Sequence, residues 1–115
     1  MKDKKYLERI INYSSKIIRY LEDVTSIEEF ESNEEKVDAV LLNLEQIGET
    51  AKKLSEEFKD SVSKIEWNKI IGLRNLISHE YEGVDLTIIY NVATINIPEI
   101  LKILKEVKWE KNLIT

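Results

Sequence analysis

The chain has 115 residues, a formal charge of −5, 43% apolar and 34% charged residues, three glycines, one proline and no cysteine. That length suits one domain spanning residues 1–115, able to bury a core without disulfides or metals, and the scarcity of glycine and proline favours helices over a turn-rich sandwich. The missing cysteine excludes disulfide frameworks, thiolate zinc sites and cysteine nucleophiles, while the net charge argues against broad nucleic-acid binding, which draws most of its affinity from Lys and Arg on phosphates.

From about Lys4 to Asp23 the apolar residues Leu7, Ile10, Ile11, Ile17, Ile18 and Leu21 recur at three and four, with the small Ser14 in step, which predicts a first long helix. Tyr6, Tyr13 and Tyr20, seven apart, form a stripe beside that face, read as core or subunit packing in preference to ligand stacking. Ser26 with Glu29 has the spacing of a capping box opening a short connecting helix, and Ser32 with Glu35 repeats it ahead of a second long helix. This helix is expected to carry Val37, Val40, Leu41, Leu44, Ile47, Gly48, Ala51, Leu54 and Phe58 on one face. Gly48 and Ala51 are small enough there for another helix to come close, and Glu45, Glu49 and Lys52 beside them read as an exposed ion-pair stripe.

Periodicity lapses around Asp60 to Ser63, and Ser63 with Glu66 suggests the cap of a third long helix starting near Ile65. Gly83 is expected as a left-handed turn residue ending this segment, and Asp85 as the N-cap of a last long helix from Leu86 to about Val107, kinked ahead of Pro98. The tail from Trp109 to Thr115 is expected to fray. The fold class expected is therefore all-α, an antiparallel bundle of four long helices plus a short connecting helix, with spare apolar surface that favours dimerisation. No apolar run follows Met1-Lys2-Asp3-Lys4-Lys5 and no stretch approaches the roughly 20 apolar residues of a bilayer span, so a cytoplasmic protein with no membrane partner is expected.

Chemistry concentrates in Arg74-Asn75-Leu76-Ile77-Ser78-His79-Glu80-Tyr81, which holds the sole histidine. Arginine presents a planar fork of donors suited to phosphate, histidine exchanges protons near neutrality, and Asn75 and Tyr81 can orient either partner. Together they suit metal-free RNA cleavage, in which the 2′-hydroxyl attacks the adjacent phosphate while one group takes a proton and another supports the dianionic transition state. On an ideal helix Asn75 and His79 share a face, whereas Arg74 and His79, five apart, diverge by about 140°. Either the helix ends near His79 or the groups find their partners across a subunit interface. A lone histidine capping a helix end is the plain structural alternative.

The segment Ile70-Ile71-Gly72-Leu73-Arg74-Asn75, followed by His79-Glu80-Tyr81 and Gly83-Val84-Asp85, resembles the Arg-x-x-x-x-His-x-Tyr motif of the HEPN superfamily and its flanks. Asn43 to Ser55 supplies a second matching stretch. Nearly the whole chain is similar to HepT-like toxins, which accompany Mnt-type minimal nucleotidyltransferase antitoxins. That resemblance implies a homodimer or higher even-numbered oligomer acting as a metal-independent ribonuclease toxin of a type VII-like pair, on tRNA or mRNA. It implies Arg74 and His79 as the catalytic pair, Asn75 as a supporting group, and Tyr81 as the site where the antitoxin attaches AMP. It implies no cofactor and no metal. Within the same superfamily a non-catalytic module that only binds a nucleotidyltransferase is the alternative.

Overall fold

The computed structural model describes residues 2–107. Helix α1 runs Lys2–Tyr20, α2 Ile27–Ser32, α3 Glu34–Ala51, α4 Glu56–Ser61 and α5 Trp67–His79. A 3₁₀ turn, Tyr81–Gly83, leads to α6, Leu86–Asn91, which passes through a π-turn, Val92–Asn96, into α7, Ile97–Lys105. No strand occurs among the described residues, so the chain is all-helical.

The apolar stripes read from the sequence build one core. Phe30, Ile10, Ile17, Leu41, Ile47, Ile77, Ile89 and Leu104 are fully buried in it, each contributing about 1.5–3 kcal/mol of transfer free energy. α1 lies antiparallel to α3 and is tied to it at both ends. Near the close of α1, the Lys36 ammonium bonds the Tyr20 carbonyl at 2.6 Å and pairs with the Asp23 carboxylate, whose pKa is lowered chiefly by that hydrogen bond. At the start of α1, Asp3 accepts from Ser55 N–H at 2.9 Å and from its hydroxyl at 2.6 Å. Tyr6 and Tyr13 pack against the core as expected, with Arg9 and Lys53 over the Tyr6 ring.

Several sequence expectations are corrected. The second long helix stops at Ala51 instead of running through Phe58, so two short helices join the bundle rather than one. Leu54 and Phe58 are buried as expected, but Ser55 is extended (φ −67°, ψ 152°) and its hydroxyl caps Phe58 N–H at 3.1 Å, starting α4 with Glu56 and Glu57 in its first turn. Ser26 caps α2 as expected, yet α3 is capped by Asn33 rather than Ser32, and α5 begins after Glu66 with no side-chain cap from Ser63. No described glycine has positive φ, so Gly83 closes the 3₁₀ turn without left-handed geometry. Asp85 does cap α6, accepting from Thr87 N–H at 2.9 Å.

The disturbance expected ahead of Pro98 takes the form of the π-turn. Pro98 has no N–H to offer the Thr94 carbonyl, and just upstream the ladder widens as Ile97 N–H bonds the Val92 carbonyl, five residues back. The Thr94 hydroxyl donates to the Tyr90 carbonyl at 2.7 Å in the same stretch. By length and composition this continuous helical run, Leu86–Lys105, could cross a bilayer, contrary to expectation. Its buried Ile89, Ala93, Ile97, Leu101 and Leu104 nevertheless belong to a bundle face packed on α2 at its start and on α1 thereafter, while Ile88 and Ile95 stay exposed. The tail Trp109–Thr115 lies outside the described residues.

Gly48 is where α3 meets α5. A Cβ there would stand 2.3 Å from Arg74 Cβ and 3.1 Å from the Ile70 carbonyl oxygen, so the close approach read from this glycine is taken up by the motif helix. Gly48→Ala is expected to lower stability by up to about 2 kcal/mol, an overpacking cost of about 1–3 less a helix-propensity gain of about 1. A reduced melting temperature with unchanged helix content would register it.

Candidate functional site

α5 carries every candidate site residue except Tyr81, which sits in the 3₁₀ turn that follows. The helix runs without interruption to His79, where Glu80 leaves helical geometry (φ −133°, ψ 40°) and donates its N–H to the Leu76 carbonyl at 2.9 Å. His79 is exposed at this end, and its side chain makes no hydrogen bond among the described residues.

Arg74 points the other way, against α3. Its Nη2 pairs with Glu49 Oε2 at 2.7 Å, and its Nη1 donates to Asn75 Oδ1 at 3.0 Å. The side chain remains 26% exposed. Within one protomer, then, the Arg74 and Asn75 side chains come together, and no side-chain bond links either of them to His79. For Arg74 this is the divergence that five-residue spacing predicts on an unbroken helix, whereas Asn75, expected on the His79 face, turns its side chain to Arg74.

The facing helix supplies Asp38, which the sequence did not single out, together with Glu45 and Glu49, which it marked only as an exposed ion-pair stripe. Glu49 binds Arg74, Glu45 accepts from the Ser78 hydroxyl, and Asp38 accepts from the Tyr81 hydroxyl at 3.0 Å. Glu45 and Glu49 thus face α5 across the helix pair, and the intrahelical pairing with Lys52 expected for them is absent. Their spacing of seven and four along α3 marks one stripe, but only the antiparallel register against α5 shows what the stripe faces. Tyr81 is 43% exposed. Partial burial raises its pKa above the ordinary 10.0, with the hydrogen bond to Asp38 and the charges of Asp38 and Glu45 adding to the shift.

A cleft of about 550 Å³ opens on another side of α5, bounded by Leu44 of α3, by Ile70, Gly72 and Leu76 of α5, and by Ile100 and Ile103 of α7. None of Arg74, Asn75, His79 or Tyr81 lines it. An addition at Gly72 would meet nothing within 4 Å, and Leu76 is 37% exposed, so this face of the motif helix is unfilled within the protomer. Among the described residues no group of three or more His, Asp or Glu side chains is placed to hold a metal ion.

Residues 10–107 match the family model described as Ribonuclease HepT-like. A provisionally named RNase of Caldanaerobacter subterraneus subsp. tengcongensis is 36% identical over 102 residues, covering 89% of this chain and 90% of that protein. A second, from Methanocaldococcus jannaschii, is 34% identical over 99 residues, covering 86% and 84%. A protein of Thermococcus cleftensis, named with reservation as ribonuclease HepT, is 29% identical over 97 residues, covering 84% and 87%. No solved structure matches the chain.

The Asp38 contact can be tested by titration. Asp38→Asn is expected to bring Tyr81 ionisation part of the way back toward 10.0, read as ultraviolet absorbance against a Tyr81→Phe reference. Because the folded value is raised, the contact's stabilisation is complete below pH 10.0 and is lost as pH rises through Tyr81's own higher value.

Proposed function

Because the chain belongs to the Ribonuclease HepT-like family, we propose that it is a metal-independent endoribonuclease and the toxin of a toxin–antitoxin pair, working as a dimer in the cytoplasm. The observation that carries this reading is the Arg74 guanidinium, braced by Glu49 and Asn75 yet still 26% exposed, on the helix that ends at an unengaged His79. Arg74 stabilises the charge that gathers on phosphorus when the RNA 2′-hydroxyl attacks. His79 takes the proton of that hydroxyl or returns one to the departing 5′-oxygen. Asn75 keeps the guanidinium aligned.

One histidine per chain fills one of these two proton roles, so the reaction is best served by two motifs at one cleft. Gly72 supports such pairing. A glycine in a helix interior costs about 1 kcal/mol relative to alanine, and no contact inside the protomer makes use of its missing Cβ. The apolar cleft beside it offers the surface a second copy would cover. Tyr81 is the proposed point of control: an Mnt-type nucleotidyltransferase attaching AMP to its hydroxyl would replace the Asp38 bond with a bulky anion two residues from His79, beside carboxylates that repel it.

A second reading has its own support, since Glu49, Glu45 and Asp38 already occupy Arg74, Ser78 and Tyr81. On that reading the chain is a non-catalytic module that docks on a nucleotidyltransferase.

The purified chain is expected to cleave tRNA or mRNA in EDTA, with Arg74→Ala or His79→Ala reducing the rate at least about a hundredfold, the usual scale for one acid–base or electrostatic group. Equal cleavage by wild type and variants points to a contaminant, and none by wild type favours the docking module. Gly72→Leu is expected to leave the protomer folded and to shift the sedimenting species from dimer to monomer.

A further inference from the structure

Arg74 is held at three places by its own chain. Its stem lies against α3 at Gly48, where an added methyl would come within 2.3 Å of Arg74 Cβ. Its Nη1 donates to Asn75 Oδ1 at 3.0 Å, and its Nη2 stands 2.7 Å from Glu49 Oε2 as an ion pair in which that oxygen accepts no hydrogen bond. The guanidinium is planar, so the Asn75 bond on one terminal nitrogen and the Glu49 charge beside the other together bias the orientation of its plane. Nε is buried without a partner, which leaves the remaining hydrogens on Nη1 and Nη2 for an incoming anion.

Building on the ribonuclease reading above, we infer that Glu49 is a positioning residue for RNA cleavage: its carboxylate fixes the Arg74 fork so that the free Nη donors meet the phosphate as charge develops on it. A carboxylate in this place has two opposed effects. It offsets the positive charge that would attract RNA, which weakens ground-state binding, and it removes the reorientation that a free arginine must undergo in the transition state. Positioning therefore predicts a signature that a purely structural ion pair does not have. Without the carboxylate, cleavage slows while RNA binding tightens.

The test uses the full chain as wild type, Glu49→Gln, Glu49→Asp, and Glu49→Gln combined with Arg74→Ala. Cleavage of a labelled RNA is followed at saturating protein in EDTA, and affinity is measured with a 2′-O-methyl copy of that RNA, which lacks the attacking hydroxyl. Glu49→Gln is expected to slow cleavage about tenfold, and to bind the methylated RNA about threefold tighter with a steeper salt dependence. That tightening disappears when Arg74→Ala is added. Glu49→Asp, which keeps the charge on a shorter stem, slows cleavage and leaves affinity near wild type.

Glu49→Gln cleaving as fast as wild type or faster overturns the inference, the faster case marking the pair as a restraint. Tightening that survives Arg74→Ala overturns it as well. So does a parallel loss of rate, affinity and melting temperature in both Glu49 variants, which assigns the pair to folding alone. Absence of cleavage by the wild type overturns the ribonuclease reading itself, and this role with it.

Discussion

The contact on which the rest of the molecule depends is the crossing of α3 and α5 at Gly48. Because this residue has no side chain, the first carbons of Arg74 can lie directly on the α3 backbone. The approach fixes both the distance and the register of the two helices, and the register decides which side chains meet. With Gly48 against Arg74, Glu49 reaches the guanidinium, Glu45 reaches Ser78, and Asp38 reaches Tyr81 beyond the helix end. A single missing Cβ thus sets three polar contacts, from the middle of α5 to the turn beyond its end.

The same crossing explains how an acidic chain can carry a motif suited to a polyanion. The carboxylates of α3 offset the motif's cation locally, which lowers the attraction one protomer would exert on a polyanion. What the pairing supplies is order, since arginine loses side-chain entropy of about 2 kcal/mol on being fixed and here its own chain imposes that fixation.

Much of the architecture was legible in residue spacing. Leu7, Ile10 and Ile17, the Val37-to-Ala51 face, and Ile89 with Leu104 lie where three-and-four periodicity puts them, and the small Ser14 and Gly48 mark tightly packed positions. Periodicity failed at Ser55 for a physical reason: Leu54 and Phe58 stay in phase across a break, and a turn of about one helical repeat leaves no trace in apolar spacing. Cap choices between neighbours such as Ser32 and Asn33, or Ser63 and Glu66, turn on backbone angles of a single residue. The motif was visible by composition alone, as the one cluster of cation, amide, imidazole and phenol, and its resemblance to known toxins supplied a reaction. The acids facing it were not visible as such, because on α3 they look like any solvated stripe until α5 is laid against them.

The π-turn in the last helix has a consequence for how this segment tolerates change. Ile89, Ala93, Ile97 and Leu101 are spaced by fours. On an ideal α-helix each step of four overshoots a full circle by about 40°, so three such steps would carry the buried stripe off the bundle. A turn that bonds five residues back holds one residue more than the regular ladder and returns the stripe toward its starting face. The segment from Val92 to Asn96 therefore stores a one-residue length variation. Relatives lacking a residue here could keep the same core by relaxing to a regular helix, whereas a deletion anywhere else along this helix would turn its apolar face out of the bundle.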